Sequence, residues 1–232
     1  ASGAFASHTI DSTVLAEAGD EARILANSVS IGAENRVEKD WLRGASGDEA
    51  AWNIRAGSGG VIGAPAGRSE SSIEQVTTAR VGDDAKIHVL APASGDGVFT
   101  LDARNVSIVR DKAKLDSGGA IAIAKANSMV SVDRADATAR FGANSEVISD
   151  VGSIDAGARN DATLETRAAA DTYGLAGAPD GSAHTVYRGA TNTVVGAGAL
   201  LRADDGAVNL AAGRDSSGNA GGIDARSAVN LW

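Results

Sequence analysis

The chain has 232 residues, of which 47 are Ala and 29 are Gly, whereas aromatic residues make up only 3%. Its formal net charge of −9 argues against a nucleic-acid partner, which would need a basic stripe on the protein. The lack of Cys excludes disulfides and thiolate metal sites, and no apolar run reaches the ~20 residues that a membrane-spanning helix requires. We therefore expect neither nucleic-acid binding nor membrane insertion.

The first seventy residues carry short strand candidates and then the least regular part of the chain. Residues 13–15 and 24–29 predict strands on either side of a turn at Gly19-Asp20. Residues 38–70 contain Trp41, Trp52 and a Gly-rich run, which together predict a long loop or a decorated turn. Trp41 and Trp52 are candidates for surface contact, such as stacking on sugar rings. The alternative is that they pack within the loop or cap an open end of the core.

From residue 73 onward, apolar and polar residues alternate. Ala85, Ile87 and Val89 have polar neighbours, and the same alternation recurs in residues 99–108 and 130–141, whereas residues 120–124 alternate large and small apolar side chains. The runs are short and are interrupted by Gly, Asp, Asn or Ser. This pattern predicts short β-strands that each bury one face.

A short motif, in which an apolar residue precedes Gly and small or polar residues follow it, occurs at Gly32, Gly82, Gly142 and Gly196. The spacings are 50, 60 and 54 residues. Internal repeats of this length indicate a repeat architecture in which successive units stack on one another. We expect the four glycines to be structural corners, where a positive φ would disfavour other residues.

Two all-β architectures compete for this pattern. A sandwich needs larger core residues, whereas the Ala content and the internal repeat favour a parallel β-solenoid, or β-helix. We expect a single right-handed solenoid segment over residues 1–232, with residues 38–70 as its irregular region. At roughly 20 residues per coil, about eleven coils would form a rod some 50 Å long.

The chemical motifs are weak, and we expect neither enzyme activity nor a cofactor. The acidic pairs Asp83-Asp84 and Asp204-Asp205 lie beside Gly, where a solvated turn is the ordinary interpretation and a glycosidase pair is the alternative. Calcium is the one ion that such turns would suit, because it prefers carboxylate and carbonyl oxygens. His8, His88 and His184 lack the spacing of a zinc site.

The stretch Gly118-Gly119-Ala120-Ile121-Ala122-Ile123-Ala124, which continues through Val130 and Val132 to Phe141-Gly142-Ala143, resembles the degenerate repeats of very large bacterial exoproteins. These are adhesins of the filamentous-haemagglutinin and leukotoxin type. The similarity extends over about residues 73–215, with residues 203–212 similar to the second half of the unit. It implies a secreted or cell-surface β-solenoid that is one segment of a longer chain.

The resemblance also implies a role in cell adhesion, with a host or neighbouring-cell surface as the partner and a glycan or a protein as the receptor. It carries over no catalytic residue. We therefore expect a structural or adhesive module that acts through its surface. The alternative is a β-helical polysaccharide-acting enzyme or a tailspike-like glycan binder, and a third interpretation is a spacer that binds nothing.

Overall fold

The computed structural model of the protein describes residues 2–40, 53–91 and 97–232. Strands make up 78% of it, and no helix occurs within these ranges. The strands pair in parallel and form a curled ten-stranded sheet and a second sheet of four strands. The predictions of an all-β fold and of parallel pairing are therefore confirmed.

The described residues form fourteen strands. In chain order they are β1 (Ser2–Ala18), β2 (Arg23–Ala26), β3 (Val29–Lys39), β4 (Ile54–Ser58), β5 (Ile62–Gly63), β6 (Pro65–Val81), β7 (Lys86–Val89), β8 (Phe99–Phe141), β9 (Glu146–Ser149), β10 (Ile154–Tyr187), β11 (Ala190–Val195), β12 (Leu200–Ala203), β13 (Val208–Ala212) and β14 (Ile223–Leu231).

The register of the strands divides the chain into four tiers. Paired residues lie between 54 and 70 positions apart, as in Asn209 beside Asp155 and Thr100 beside Ser30. Of the described residues, tier 1 covers those within 2–58, tier 2 those within 62–117, tier 3 residues 121–172 and tier 4 residues 176–231. One column of paired residues passes through all four tiers: Ala18, Val81, Phe141 and Val195.

The expected coil of roughly 20 residues is wrong, because one tier takes up the whole spacing of the glycine repeat. Single strands such as β1 extend for 17 residues before the chain turns. Four tiers at ~4.8 Å per step rise only about 15 Å, while one 17-residue side is about 55 Å long. The molecule is therefore a short stack of long tiers instead of a rod of eleven coils.

Each tier has two long sides and one short side. Wall A contains β1, β5, β6, residues 121–141 of β8, residues 176–187 of β10, and β11. Wall B contains β3, β4, residues 99–117 of β8, residues 154–172 of β10, β13 and β14. The short side is the four-stranded sheet of β2, β7, β9 and β12, which follows wall A and precedes wall B.

Large apolar side chains pack where the two walls meet the short side. Phe99 of wall B and Phe141 of wall A are fully buried, with ring centroids 5.9 Å apart. Ile87 and Val147 of the short side belong to the same cluster. At the opposite end of the walls the core consists of five alanines and Leu115. The high Ala content follows from this geometry, since closely spaced walls leave room only for small side chains.

Polar side chains connect the walls between these two apolar clusters. Asn35, Asn105 and Asn160 form one column of wall B in tiers 1 to 3. Asn105 Nδ2 donates to Asn160 Oδ1 at 3.0 Å, and Thr77 of wall A donates its hydroxyl proton to Asn105 Oδ1. Asn160 Nδ2 donates to the carbonyl of Ala135 in wall A at 2.7 Å. Because buried polar groups cost free energy unless they are paired, this ladder fixes the two walls against each other.

A buried ion pair lies farther along wall B, beyond the asparagine column. Lys39 Nζ is 3.0 Å from Asp111 Oδ1, and the side chains are 11% and 0% exposed. From wall A, Ser69 and Ser128 donate to the carboxylate of Asp111 at 2.7 and 3.2 Å. Lys39 also donates to Ser71 Oγ at 2.7 Å. Both charges are therefore compensated by groups on two walls, which a buried pair requires.

The region predicted to be irregular, residues 38–70, is mostly regular where the structure describes it. It contains the end of β3, all of β4 and β5, and the beginning of β6. Pro65 is the first residue of β6, a position that tolerates the missing N–H. The remaining part of the prediction, residues 41–52, lies outside the described residues.

Candidate functional site

Three of the predicted corner glycines lie directly above one another, at the turn between wall A and the short side. Gly142 N donates to Val81 O at 2.8 Å, and Gly196 N donates to Phe141 O at 2.9 Å. The turns that begin at Gly82, Gly142 and Gly196 thus form one column along the stacking direction.

Gly32 is not part of this column, so its prediction as an equivalent corner is wrong. It lies within β3 and pairs with Asp102 on wall B. The tier-1 member is Gly19, because Ala18 pairs with Val81 and Gly82 N donates to Ala18 O at 2.7 Å. The residues around Gly32 resemble the motif in sequence. In the stacked register, however, the residue one tier before Gly82 is Gly19.

The expected reason for glycine at these corners, a positive φ, is wrong as well. The residues with positive φ stand two positions later: Glu21 at 57°, Asp84 at 55°, Asn144 at 53° and Gly198 at 72°. Glycine is required because the backbones of successive tiers nearly touch. A Cβ on Gly142 would lie 2.5 Å from the carbonyl carbon of Gly82, closer than real Cβ contacts allow.

The acidic residues of this turn bind the backbone of the next tier. Asp83 Oδ1 accepts a hydrogen bond from Ala143 N at 2.8 Å, and Asp20 Oδ1 accepts one from Asp83 N at 3.0 Å. Within the part of the chain that the structure describes, no group of three His, Cys, Asp or Glu residues is placed to hold a metal ion. In the turn column, the carboxylates of Asp20 and Asp83 therefore serve as links between tiers.

The predicted candidates for surface contact, Trp41 and Trp52, lie outside the described residues. The third tryptophan, Trp232, is 79% exposed. Its backbone is held on wall B, where Trp232 N donates to Ala170 O at 3.0 Å and Trp232 O accepts from Thr172 N at 2.7 Å. Of the three tryptophans, Trp232 is the one that the structure places on the surface.

A second column of glycines forms the bend that connects wall B back to wall A. A Cβ on Gly119 would lie 2.2 Å from Gly60 O, and one on Gly174 would lie 2.1 Å from Gly119 O. The sequence carried a signal for this bend, because Gly-Gly-Val-Ile-Gly at 59–63 and Gly-Gly-Ala-Ile-Ala at 118–122 are similar and in register. The Gly-rich run predicted as a loop is thus the first copy of a repeated bend.

Large apolar side chains surround this bend and face the solvent. The most exposed are Leu175 at 96% and Val61 at 78%, followed by Ile62 and Tyr173 at 63% each. Ile62 and Ile121 pair with each other in neighbouring tiers. Together with Ile123 these residues make up what we call the edge strip: Val61, Ile62, Ile121, Ile123, Tyr173 and Leu175.

The narrow interior behind the bend explains why the edge strip points outward. Gly63 and Gly177, one column of wall A, face the hydroxyl side chains of wall B. A Cβ on Gly63 would lie 2.6 Å from Ser117 Oγ, and one on Gly177 would lie 2.4 Å from Thr172 Oγ1. Because the walls approach so closely, the larger side chains of the bend have only the outer face to occupy.

Ion pairs connect the tiers on the outer faces of the walls. Arg104 of tier 2 reaches Glu34 of tier 1 at 3.1 Å and Asp161 of tier 3 at 2.7 Å. Burial is the largest single influence on the pKa of Arg104 and lowers it, but the hydrogen bonds and negative charges of Asp161 and Glu34 together outweigh burial, so the pKa is raised above its usual value. Partly exposed pairs of this kind contribute about 0–1 kcal/mol each, so they add less than the interior contacts.

A membrane-spanning helix, which would have to be both long and apolar, does not occur in the described residues. We also compared the chain with protein-family models, with curated proteins and with solved structures, and none of the three comparisons finds a match.

Proposed function

We propose that the chain is a closed, right-handed parallel β-solenoid that serves as a structural or adhesive segment of an exported bacterial surface protein. The observation that carries this proposal is the parallel register through four tiers, with two walls bridged by buried side chains. Such stacking produces a stiff body on which outward side chains stand in fixed columns. A right-handed path is the general preference for connections between parallel strands.

The edge strip is the surface that we assign to receptor binding. Exposed apolar patches on soluble proteins mark interaction sites more often than chance would give. The strip stands on a bend whose backbone is stacked in register, so binding would order little additional chain and the entropic cost would be small. Tyr173 offers an aromatic face to a sugar ring or to a protein side chain.

Binding assays on the purified chain test this function. We expect the chain to bind a glycan array or intact host and bacterial cells, and a Tyr173→Ser/Leu175→Ser variant to bind at least about tenfold more weakly, as expected for loss of anchor residues worth 1.4 kcal/mol or more. Leu25→Ser is the matched control, because Leu25 is equally apolar and 67% exposed but lies on the short side.

The same samples separate the competing functions. Shortening of a glycan during incubation would support the polysaccharide-acting enzyme and contradict a purely adhesive role. Absence of binding to every surface would favour a spacer. Binding that survives the double substitution would leave an adhesive segment but remove the edge strip as its contact surface.

A further inference from the structure

We propose that the outer face of wall B carries a binding site for a neutral saccharide, with Gly32 as its floor. The site is a cavity of about 380 Å³, which we call the Gly32 groove, and it is lined by Gly32, Glu34, Asp102, Arg104, Arg159 and Asp215. A volume of this size is within the range of small-molecule sites. The groove lies on the order of 50 Å along wall B from the edge strip, so it is separate from the receptor contact proposed there.

Nothing in the fold itself explains why residue 32 is glycine. Its φ is outside the left-handed region, and a Cβ at this position would meet nothing within 4 Å. Gly32 lies in the interior of β3, where glycine weakens a strand because it has no side chain to pack. A glycine in such a place often marks the close approach of a ligand or of another backbone.

The same outward column contains a glycine where such an approach occurs. Gly32 pairs with Asp102, and Asp102 pairs with Gly157 of tier 3. Gly157 is buried although its column faces outward, because residues 213–222 of tier 4 fold over it. A Cβ on Gly157 would lie 2.4 Å from the carbonyl carbon of Asp215. At Gly32 the equivalent space is open.

The covering loop, residues 213–222, indicates which groups this face binds. Tier 4 has 11 residues between Ala211 and Ile223, where tier 3 has four, so the loop is longer than the stacking requires. At its tip, Ser216 donates its backbone N–H to Asp102 Oδ1 at 2.7 Å and its hydroxyl proton to Asp102 Oδ2. A carboxylate of this face therefore accepts two adjacent donors from the segment that lies on it.

The open part of the groove offers both donors and acceptors around Gly32. Thr100 Oγ1 donates to Ser30 Oγ at 2.8 Å, which leaves the proton of Ser30 for another acceptor. Arg104 donates to Glu34 Oε2 at 3.1 Å, and among the described residues nothing donates to Glu34 Oε1. Neighbouring hydroxyls of a sugar ring can donate to such a carboxylate and accept from such a hydroxyl at the same time.

The charges of the groove favour a neutral ligand. Its lining has three carboxylates and two guanidinium groups, so the formal balance is negative. Both guanidinium groups are already paired, Arg104 with Asp161 at 2.7 Å and Arg159 with Asp215 at 2.9 Å. An anionic ligand would have to compete with these carboxylates, whereas a neutral hydroxyl-rich ligand can bind to them.

An apolar ligand would gain little in the same place. The remaining residues of the lining are Ala33 and Ala103, and both are buried in the wall. The surface that the groove presents is therefore backbone and charged side chain, and covering it without hydrogen bonds costs free energy. A saccharide supplies those hydrogen bonds.

Saturation-transfer NMR on the purified chain tests the site, with glucose, galactose, mannose and lactose as neutral probes. We expect transfer to at least one of them, and titration of that sugar should give a dissociation constant that Gly32→Val raises at least about tenfold by filling the floor. Gly3→Val is the matched control. It adds the same side chain to the outer face of wall A in the same tier, where a Cβ meets only Ala66 O at 3.7 Å.

A second pair of variants tests the hydrogen bonds instead of the space. Glu34→Ala should weaken binding about tenfold, because it removes an ionised acceptor from the ligand. Glu38→Ala is its control and should leave binding unchanged, since Glu38 is likewise an exposed glutamate of β3 that is paired with an arginine, Arg36, at 3.0 Å. Circular dichroism confirms that each variant is folded.

The outcomes are distinct. Transfer to none of the neutral sugars, tighter binding of glucuronate or glucosamine, or equal binding by Gly32→Val and Gly3→Val overturns the proposal. The Tyr173→Ser/Leu175→Ser variant should bind the neutral sugar as the natural chain does, because the edge strip lies outside the groove. The groove and the receptor contact of the edge strip can therefore fail independently.

Discussion

The two ends of a tier are built from the same parallel stacking but restrict the sequence in different ways. Beside the short side, one inward column holds Ala18, Val81, Phe141 and Val195, so residues of very different volume occupy equivalent positions. At the opposite bend, the column of Gly60, Gly119 and Gly174 is glycine at all three connections between successive tiers.

The two ends impose different packing constraints on the residues of each column. Beside the short side the three faces leave a wide space, which large side chains such as Phe99 and Phe141 fill together with smaller ones. At the bend the constraint is contact between backbones, which no repacking of side chains relieves. The wide end therefore tolerates substitution, and the positions where backbones meet do not.

The largest effect should come from a side chain placed between two tiers. Gly142→Val puts a Cβ 2.5 Å from the backbone of Gly82, and we expect it to lower the free energy of unfolding by about 4 kcal/mol or to prevent folding. Gly32→Val is the matched control, because a Cβ there meets nothing within 4 Å. Urea unfolding followed by circular dichroism measures both. Equal stabilities would show that the tiers are not in backbone contact at Gly142.

The sequence predicted the parts of this comparison that depend on spacing. The offsets from Gly82 to Gly142 and to Gly196 match the register of the tiers, because glycine is the one residue that the contact admits. The number of residues in a tier could not be read in the same way. Alternation reports that a strand has one buried face, but it does not show which runs share a tier, and β8, a strand of 43 residues, belongs to two walls.

The alternation of apolar and polar residues does not reveal the polar side chains that are buried between the walls. A rule that assigns polar residues to the surface places Asn105, Gln75 and Asp111 outside, although all three are buried. Hydrogen bonds from the opposite wall offset the cost of burying these groups. The partner of Asn105 is Thr77, 28 residues away, and a partner of Asp111 is Ser69, 42 residues away. The edge strip was missed because apolar residues were assigned inward, whereas the narrow bend forces them outward.

The second largest effect should come from the charged part of that interior. Asp111→Ala would leave Lys39 buried without its carboxylate, and we expect a loss of about 3 kcal/mol in the free energy of unfolding. Asp180→Ala is the control, since it breaks the exposed pair with Lys125 and should cost no more than about 1 kcal/mol. Chemical denaturation of both variants gives the comparison, and similar losses would contradict the structural role of the buried pair.

A smaller effect should distinguish the two ends of the tier directly. Ala122 is buried between Gly63 and Gly177 in its column, so Ala122→Leu should overpack the narrow end and cost about 2 kcal/mol. Phe141→Leu, at the wide end, should cost about 1 kcal/mol because neighbouring side chains can adjust. Thermal unfolding of the two variants ranks them. The reverse order would mean that the wide end is the rigid one.

The smallest effect should be a change of stability with pH that depends on Tyr187, which lies in tier 4 between the two ends. Burial raises the pKa of this phenol from 10.0 to about 12. Between these two values the unfolded chain loses the proton before the folded chain does, so the contribution of Tyr187 to stability is complete below pH 10 and declines toward pH 12. The unfolding free energy of the natural chain minus that of Tyr187→Phe should therefore be constant below pH 10 and decrease between pH 10 and pH 12. A Tyr173→Phe background, in which Tyr187 is the only tyrosine, allows the phenolate absorbance to be titrated in parallel. A midpoint at the ordinary value would show that solvent enters the middle of tier 4, between the wide end and the bend.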